Sequence, residues 1–182
     1  MAKPNILVIL AHPDREASRV NRRLAAAADE VDNVTVHDLY ALYPDFRVNW
    51  EREQALLREA DLIVLQFPMF WYSSPALLKQ WQDSVLQYGF AFGSEGKALQ
   101  GKSLMLAVSS AGPAEAYRAG GGSSFGVDEL LRPLQQVANM CGLRYLPTFL
   151  TQGTGQLEDA EIDARAGNYA ELLAAWSPPT AD

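Results

Sequence analysis

Leu65-Gln66-Phe67-Pro68-Met69-Phe70-Trp71-Tyr72-Ser73-Ser74-Pro75 runs from the end of an apolar segment into an aromatic loop and then a helix start. Leu62 to Phe67 is short and almost wholly apolar, as expected of a parallel strand covered on both faces. Pro68 ends it. Met69 to Tyr72 carry more large apolar groups than an ordinary surface turn, and Ser74-Pro75 reads as an N-cap and first helical residue. Ligands of open α/β sheets bind outside the carboxyl ends of the strands. The loop is therefore a candidate ligand shelf, beside the alternatives of core or dimer surface.

The same alternation extends in both directions. Upstream, Asn5 to Leu10 reads as a central strand broken by Ala11-His12-Pro13-Asp14, and Ser18 to Glu30 as a helix with Val20, Leu24 and Ala27 or Ala28 on one face. Val34 to Asp38 alternates as a second strand, and Leu39 to Asn49 has no clear period. Asn49 caps the next helix, with Glu51 and Glu53 in its first turn and Leu56, Leu57 and Ala60 toward the sheet. Downstream, a helix from Pro75 carries Leu78, Trp81 and Val85 on one stripe, and Gly89, Gly93 and Gly96 mark an irregular excursion. Ser103 to Ser109 is the fourth strand. It ends in the turn residues Ser110-Ala111-Gly112-Pro113, and Gly120 to Ser124 suggests a flexible loop. Leu130, Leu134, Val137 and Cys141 recur at helical spacing, with Pro133 obscuring the start of that helix. Tyr145 to Leu150 is the fifth strand. Ile162, Ala166, Tyr169, Leu173 and Trp176 form the last amphipathic helix, and residues 177–182 read as a frayed tail.

Five strands alternating with helices predict a single α/β domain over residues 1–176, a doubly wound parallel sheet with helices on both faces. The strand order expected is the flavodoxin-like 2-1-3-4-5. It brings together the loops His12–Asn21, Pro68–Tyr72 and Ser109–Tyr117 at one edge of the carboxyl end.

Composition narrows the function classes. The 182 residues are 48% hydrophobic, enough for a core in one domain. With 15 basic against 22 acidic residues the net charge is -7, which argues against a nucleic-acid partner. The single cysteine, Cys141, excludes an intramolecular disulfide and fits a reducing compartment. No apolar run approaches the roughly 20 residues of a membrane span, and no long apolar leader opens the sequence. A soluble, cytoplasmic protein is expected, reaching a membrane only through a partner or surface patch.

Several motifs carry less than their letters suggest. Gly96-Lys97-Ala98-Leu99-Gln100-Gly101-Lys102-Ser103 fits the Walker A pattern, but its Lys-Ser pair enters a strand, where a phosphate loop must enter a helix. Ala11-His12-Pro13-Asp14 resembles the opening of a family of zinc-dependent N-deacetylases. Arg15 stands where that motif continues with Asp, and His37, read as a strand surface residue, is the only other histidine. No metal site is expected. No Gly-x-Gly-x-x-Gly follows the first strand, and Gly153-Thr154-Gly155 lies too late for that role. Cys141 reads as a packed core thiol. The absence of an evident acid–base pair fits chemistry carried by a cofactor.

Taken together, His12, Ser18 and Asn21, Asp38-Leu-Tyr-Ala-Leu-Tyr-Pro-Asp-Phe46, Pro68 to Tyr72 with Pro75, Leu77-Leu-Lys79, and Cys141-Gly142 resemble the flavodoxin-like NAD(P)H:quinone oxidoreductases. The resemblance spans nearly the whole chain and is strongest to the ancillary oxidoreductases of Kef-type potassium-efflux systems. It implies that His12 and the helix start Ser18-Arg19-Val20-Asn21 hold the phosphate of FMN. A helix N-terminus suits a phosphate dianion on physical grounds. Pro68, Met69, Phe70, Trp71 and Tyr72 would line the isoalloxazine, with Ser109, Ser110, Ala111 and Gly112 at its pyrimidine side. Tyr117 would be the catalytic residue, its hydroxyl steadying charge on the reduced ring. DT-diaphorase has a histidine a few residues later, where this chain has Gly122, Ser123 and Ser124.

The same resemblance implies a ping-pong reaction in which NAD(P)H delivers hydride to the flavin and a quinone collects two electrons. FMN is preferred to FAD because no segment remains to hold an adenosine. A homodimer is implied, for which exposed aromatics at Phe70, Trp71, Tyr88 and Phe92 leave room. The alternative is an ancillary regulatory subunit, peripheral at the inner face of the membrane through an antiporter partner, with redox activity secondary.

Overall fold

The computed structural model describes residues 3–179, and the last three residues of the expected tail, 180–182, lie outside the described residues. Strands β1 (Ile6–Leu10), β2 (Val34–Asp38), β3 (Leu62–Pro68) and β4 (Ser103–Ser109) form a parallel sheet in the order β2-β1-β3-β4. Two short strands, β5 (Arg144–Tyr145) and β6 (Phe149–Thr151), both pair with β4 beyond it. The order 2-1-3-4-5 is the one expected; the strand count is corrected. A continuous fifth strand over Tyr145–Leu150 does not form, because Pro147 has no N–H to give the ladder. The register also advances by one residue across the break: Leu104 faces Tyr145, and Ala107 faces Phe149.

Strand residues alternate between the two faces. Ile6, Val8, Val64, Met105 and Ala107 pack under helices α1 (Arg19–Asp29) and α7 (Asp159–Ala175), against Val20, Leu24 and Ala28 and against Ile162, Ala166, Tyr169 and Leu173. Leu7, Ile9, Ile63, Leu65, Leu104 and Leu106 face the opposite layer. That layer holds α3 (Trp50–Glu59), α4 (Ala76–Val85), α5 (Val127–Leu130) and α6 (Arg132–Met140). Within it, Leu134 and Cys141 are buried as expected, whereas Leu130 and Val137 are only half-buried and Leu131 and Ala138 complete the buried face. Pro133 is tolerated in the first turn of α6, where its missing N–H has no intrahelical partner in any case. Burial pushes the Cys141 thiol up.

The segment Leu39–Asn49 is more ordered than its sequence suggests. Asp38 caps a one-turn helix, α2 (Leu39–Leu42), by accepting from Ala41 N at 3.2 Å. Asn49 caps α3 as expected, accepting from Arg52 N at 3.0 Å. The Ser74 cap predicted for α4 is absent: Pro75 occupies the cap position without a side-chain bond, and the Tyr40 hydroxyl accepts from Leu77 N at 3.3 Å instead.

His37 is also corrected, from surface to interior. Only 5% exposed, it sets Nε2 2.8 Å from Glu53 Oε1. The same carboxylate accepts from Tyr43 Oη at 2.6 Å and Trp81 Nε1 at 2.8 Å. Burial alone would push Glu53 up, but the bonds from His37, Tyr43 and Trp81 hold its carboxyl below the usual range. Lys102 resolves the Walker-like stretch. Its Nζ donates to the carbonyls of Arg58 (2.8 Å) and Ala60 (2.6 Å), closing the carboxyl end of α3.

Candidate functional site: a cleft at the carboxyl edge of the sheet

A cleft of about 360 Å³ opens where the loops after β1, β3, β4 and β6 meet. The first of these loops is closed by its own side chains. Asp14 Oδ1 accepts from Ala17 N (3.0 Å), and Ser18 Oγ accepts from Asn21 N (3.0 Å) as the cap of α1. Four amides at a helix start have no intrahelical partner, and here that of Ser18 donates to Arg15 O at 3.1 Å. Ser18 satisfies that of Asn21, so the N–H groups of Arg19 and Val20 are left without partners among the described residues, and both residues line the cleft. The Arg19 guanidinium turns away, donating to Leu157 O (2.9 Å) and Asp159 Oδ1 (2.8 Å).

His12 also lines the cleft. Its Nδ1 accepts from Asp14 N at 3.1 Å, which places the ring proton on Nε2. Burial lowers its pKa against the pull of Asp14 and Asp38, so the ring is a neutral donor near pH 7. Two unbonded amides, a positive dipole end and an imidazole N–H make an anion site. Asn21 is buried beneath it, donating Nδ2 to Ser109 Oγ at 2.8 Å, while its Oδ1 has no partner among the described residues.

On the β3 side, Pro68, Met69 and Phe70 form the wall, tied to β4 by Met69 N donating to Ser109 O (2.7 Å). The Phe70 ring meets His12 edge-on, with centroids 6.1 Å apart. Phe70 and Ser73 exchange two backbone bonds of 3.0 Å around Trp71 and Tyr72, whose φ angles are +47° and +64°. That is a two-residue hairpin turn of the kind Asn-Gly usually makes. It lifts Trp71 to 93% exposure at the rim, and neither Trp71 nor Tyr72 lines the cleft.

Ser109 and Ala111 supply the third wall. Ser110 is buried behind them with its Oγ donating to Gly112 O (3.0 Å), and Gly112 packs so closely on Tyr117 that a Cβ there would meet the ring at 3.0 Å. Ser110, Gly112 and Tyr117 do not line the cleft themselves. The fourth wall, Thr154 and Gly155, was missed from sequence. Gly153-Thr154-Gly155 fails as a dinucleotide fingerprint, but its place directly after the last strand was the available signal. Bonds from Gly153 N to Gly112 O (2.9 Å) and Thr154 N to Ser110 O (3.1 Å) fasten it to the β4 loop. Among the described residues, no cluster of three or more His, Cys, Asp or Glu is placed to hold a metal ion.

An open parallel sheet with an anion-ready helix start, a flat apolar wall and small-residue turns at its carboxyl edge defines a mononucleotide-binding α/β protein. Residues 4–173 match the family model described as a flavodoxin-like fold, and the chain belongs to that family. An uncharacterized NAD(P)H oxidoreductase of Bacillus subtilis is 45% identical over 169 residues, 93% of this chain and 97% of its own. A glutathione-regulated potassium-efflux system ancillary protein of Pectobacterium atrosepticum is 42% identical over 175 residues, 96% of each chain. The solved structure of general stress protein 14 from Treponema denticola, in complex with FMN, superposes with a TM-score of 0.90 at 42% identity, covering 94% of this chain and 99% of that one.

Proposed function

We propose that the protein is an FMN-dependent NAD(P)H:quinone oxidoreductase. The observation that carries this reading is the pair of unbonded amides at Arg19 and Val20, beside the His12 Nε2–H and opposite the Met69–Phe70 wall. The cleft residues fit FMN group by group. The amides and imidazole would hold the phosphate, the unpartnered Asn21 Oδ1 would accept from a ribityl hydroxyl, and Ser109, Ala111 and Gly155 would let backbone approach the ring edge. Bound FMN supplies the hydride acceptance and two-electron delivery that no side chain here can provide. The chain's own part is to bind, orient and keep water from one face of the ring. His12 stays neutral and donates, and no general base is required for hydride transfer. Trp71 and Tyr72 stand at the rim where a nicotinamide or quinone enters. Tyr117, braced against Gly112, is the candidate to steady charge near the ring.

A homodimer is part of the same proposal: Phe70, Trp71 and Tyr88 (69% exposed) leave aromatic surface for it, whereas Phe92 is half-buried against the core. The second reading, an ancillary subunit of a potassium-efflux antiporter at the inner face of the membrane, is favoured by the 42% identity to a protein of that name. No helix among the described residues is long and apolar enough to cross a membrane, so this role needs a membrane partner. NADPH oxidation on addition of a quinone tests the enzyme. Co-purification with an antiporter that is lost on washing with salt supports the subunit, and its absence at low salt, with quinone reductase activity present, would leave the enzyme alone standing.

A further inference from the structure

Gln66 is the one polar residue in the interior of β3, and it is fully buried. It faces Leu10 on one side and Ala107 on the other, and strand alternation sends its side chain to the α1–α7 face, where Val64 also points. Its Nε2 donates to the main-chain carbonyl of Asn21 at 2.9 Å, and its Oε1 has no partner among the described residues. An amide so placed adds little to folding. Half of it is unsatisfied, and a carbonyl inside a helix already has the amide four residues on as its donor. What the bond does fix is position. Asn21 is the third residue of α1, directly after the two residues whose amides face the cleft, and its own side chain is fastened to Ser109 of β4. Gln66 and Asn21 therefore bolt the first turn of α1 to the ends of two strands.

We propose that Gln66 is a positioning residue for the phosphate cradle: it holds the Arg19 and Val20 amides at the depth where the phosphate of a flavin mononucleotide meets them. This rests on the FMN reading above. The test compares the affinities of FMN and of riboflavin, which lacks the phosphate, by quenching of flavin fluorescence in wild type and Gln66→Met. The phosphate advantage, the ratio of the two dissociation constants, falls about tenfold in Gln66→Met while riboflavin binding and the Tm of the flavin-free protein hold. A general loosening of the site would weaken both ligands equally, and that result, or an unchanged ratio, overturns the proposal. Wild type that binds neither flavin overturns the FMN reading instead.

Gln66→Glu keeps the shape and supplies a switchable donor, which covers the case in which the methionine variant does not fold. Protonated, it can donate to Asn21 O; ionised, it presents only acceptors to that carbonyl. The phosphate advantage of Gln66→Glu, divided by that of wild type at the same pH, rises as pH falls and the buried carboxyl takes up its proton. A flat ratio across that titration contradicts a positioning role.

Discussion

Trp71 and Tyr72 hold left-handed backbone angles that glycine and asparagine adopt readily and aromatic residues rarely do. Replacing them with Asn and Gly relieves that strain, so Trp71→Asn/Tyr72→Gly is more stable to urea by about 1–3 kcal/mol. Unchanged or lowered stability would contradict a strained turn. Glu53 is the opposite case, a buried carboxylate that accepts from three groups, the His37 ring, the Tyr43 hydroxyl and the Trp81 indole. Glu53→Gln replaces one acceptor with a donor among donors, costing about 2–3 kcal/mol at neutral pH. Because the folded pKa lies below the ordinary 4.5, wild-type Glu53 contributes fully above that value and loses its contribution as pH falls through the folded value. The gap between wild type and Glu53→Gln therefore narrows in acid, measurable by denaturant unfolding across pH 7 to 3. Neither residue's role was legible in sequence. Glu53 looked like a dipole-matching surface acid and His37 like its strand's exposed edge, because a hydrogen bond between β2 and α3 leaves no local pattern.

Helix ends and strand breaks account for the differences between expectation and structure at the scale of the elements. Apolar periodicity located α1, α3, α4 and α7 well, since each buries one stripe against the sheet. It missed α2, which is one turn long, and could not reveal that α4 is capped from a distance by Tyr40. Pro147 announced the interruption of the fifth strand, yet its apolar surroundings masked it. Lys102 separates structural from catalytic lysine. Lys102→Met uncovers the carbonyls at the end of α3 and lowers stability by about 1 kcal/mol by thermal unfolding, with FMN affinity unchanged. A phosphate-binding lysine would abolish nucleotide binding.

In the whole molecule, the sheet order converts three separated sequence stretches into one cleft, and that convergence was legible because βαβ topology leaves few choices. The contribution of Thr154 and Gly155 was not, since it depends on how the register recovers after Pro147. The aromatic loop from Pro68 to Tyr72 divides in two: Pro68 to Phe70 form a wall, and Trp71 and Tyr72 form an exposed rim. If a second copy covers that rim, sedimentation of the wild type gives twice the chain mass and the Asn-Gly variant moves toward the single-chain value. A single-chain mass for wild type would remove the dimer. The most direct test of the central claim is the visible spectrum of the purified protein titrated with FMN and then with NADPH and a quinone. The account predicts one FMN per chain, bleached by NADPH and restored by the quinone. Protein that stays colourless with FMN, or holds FMN that NAD(P)H does not bleach, would contradict it.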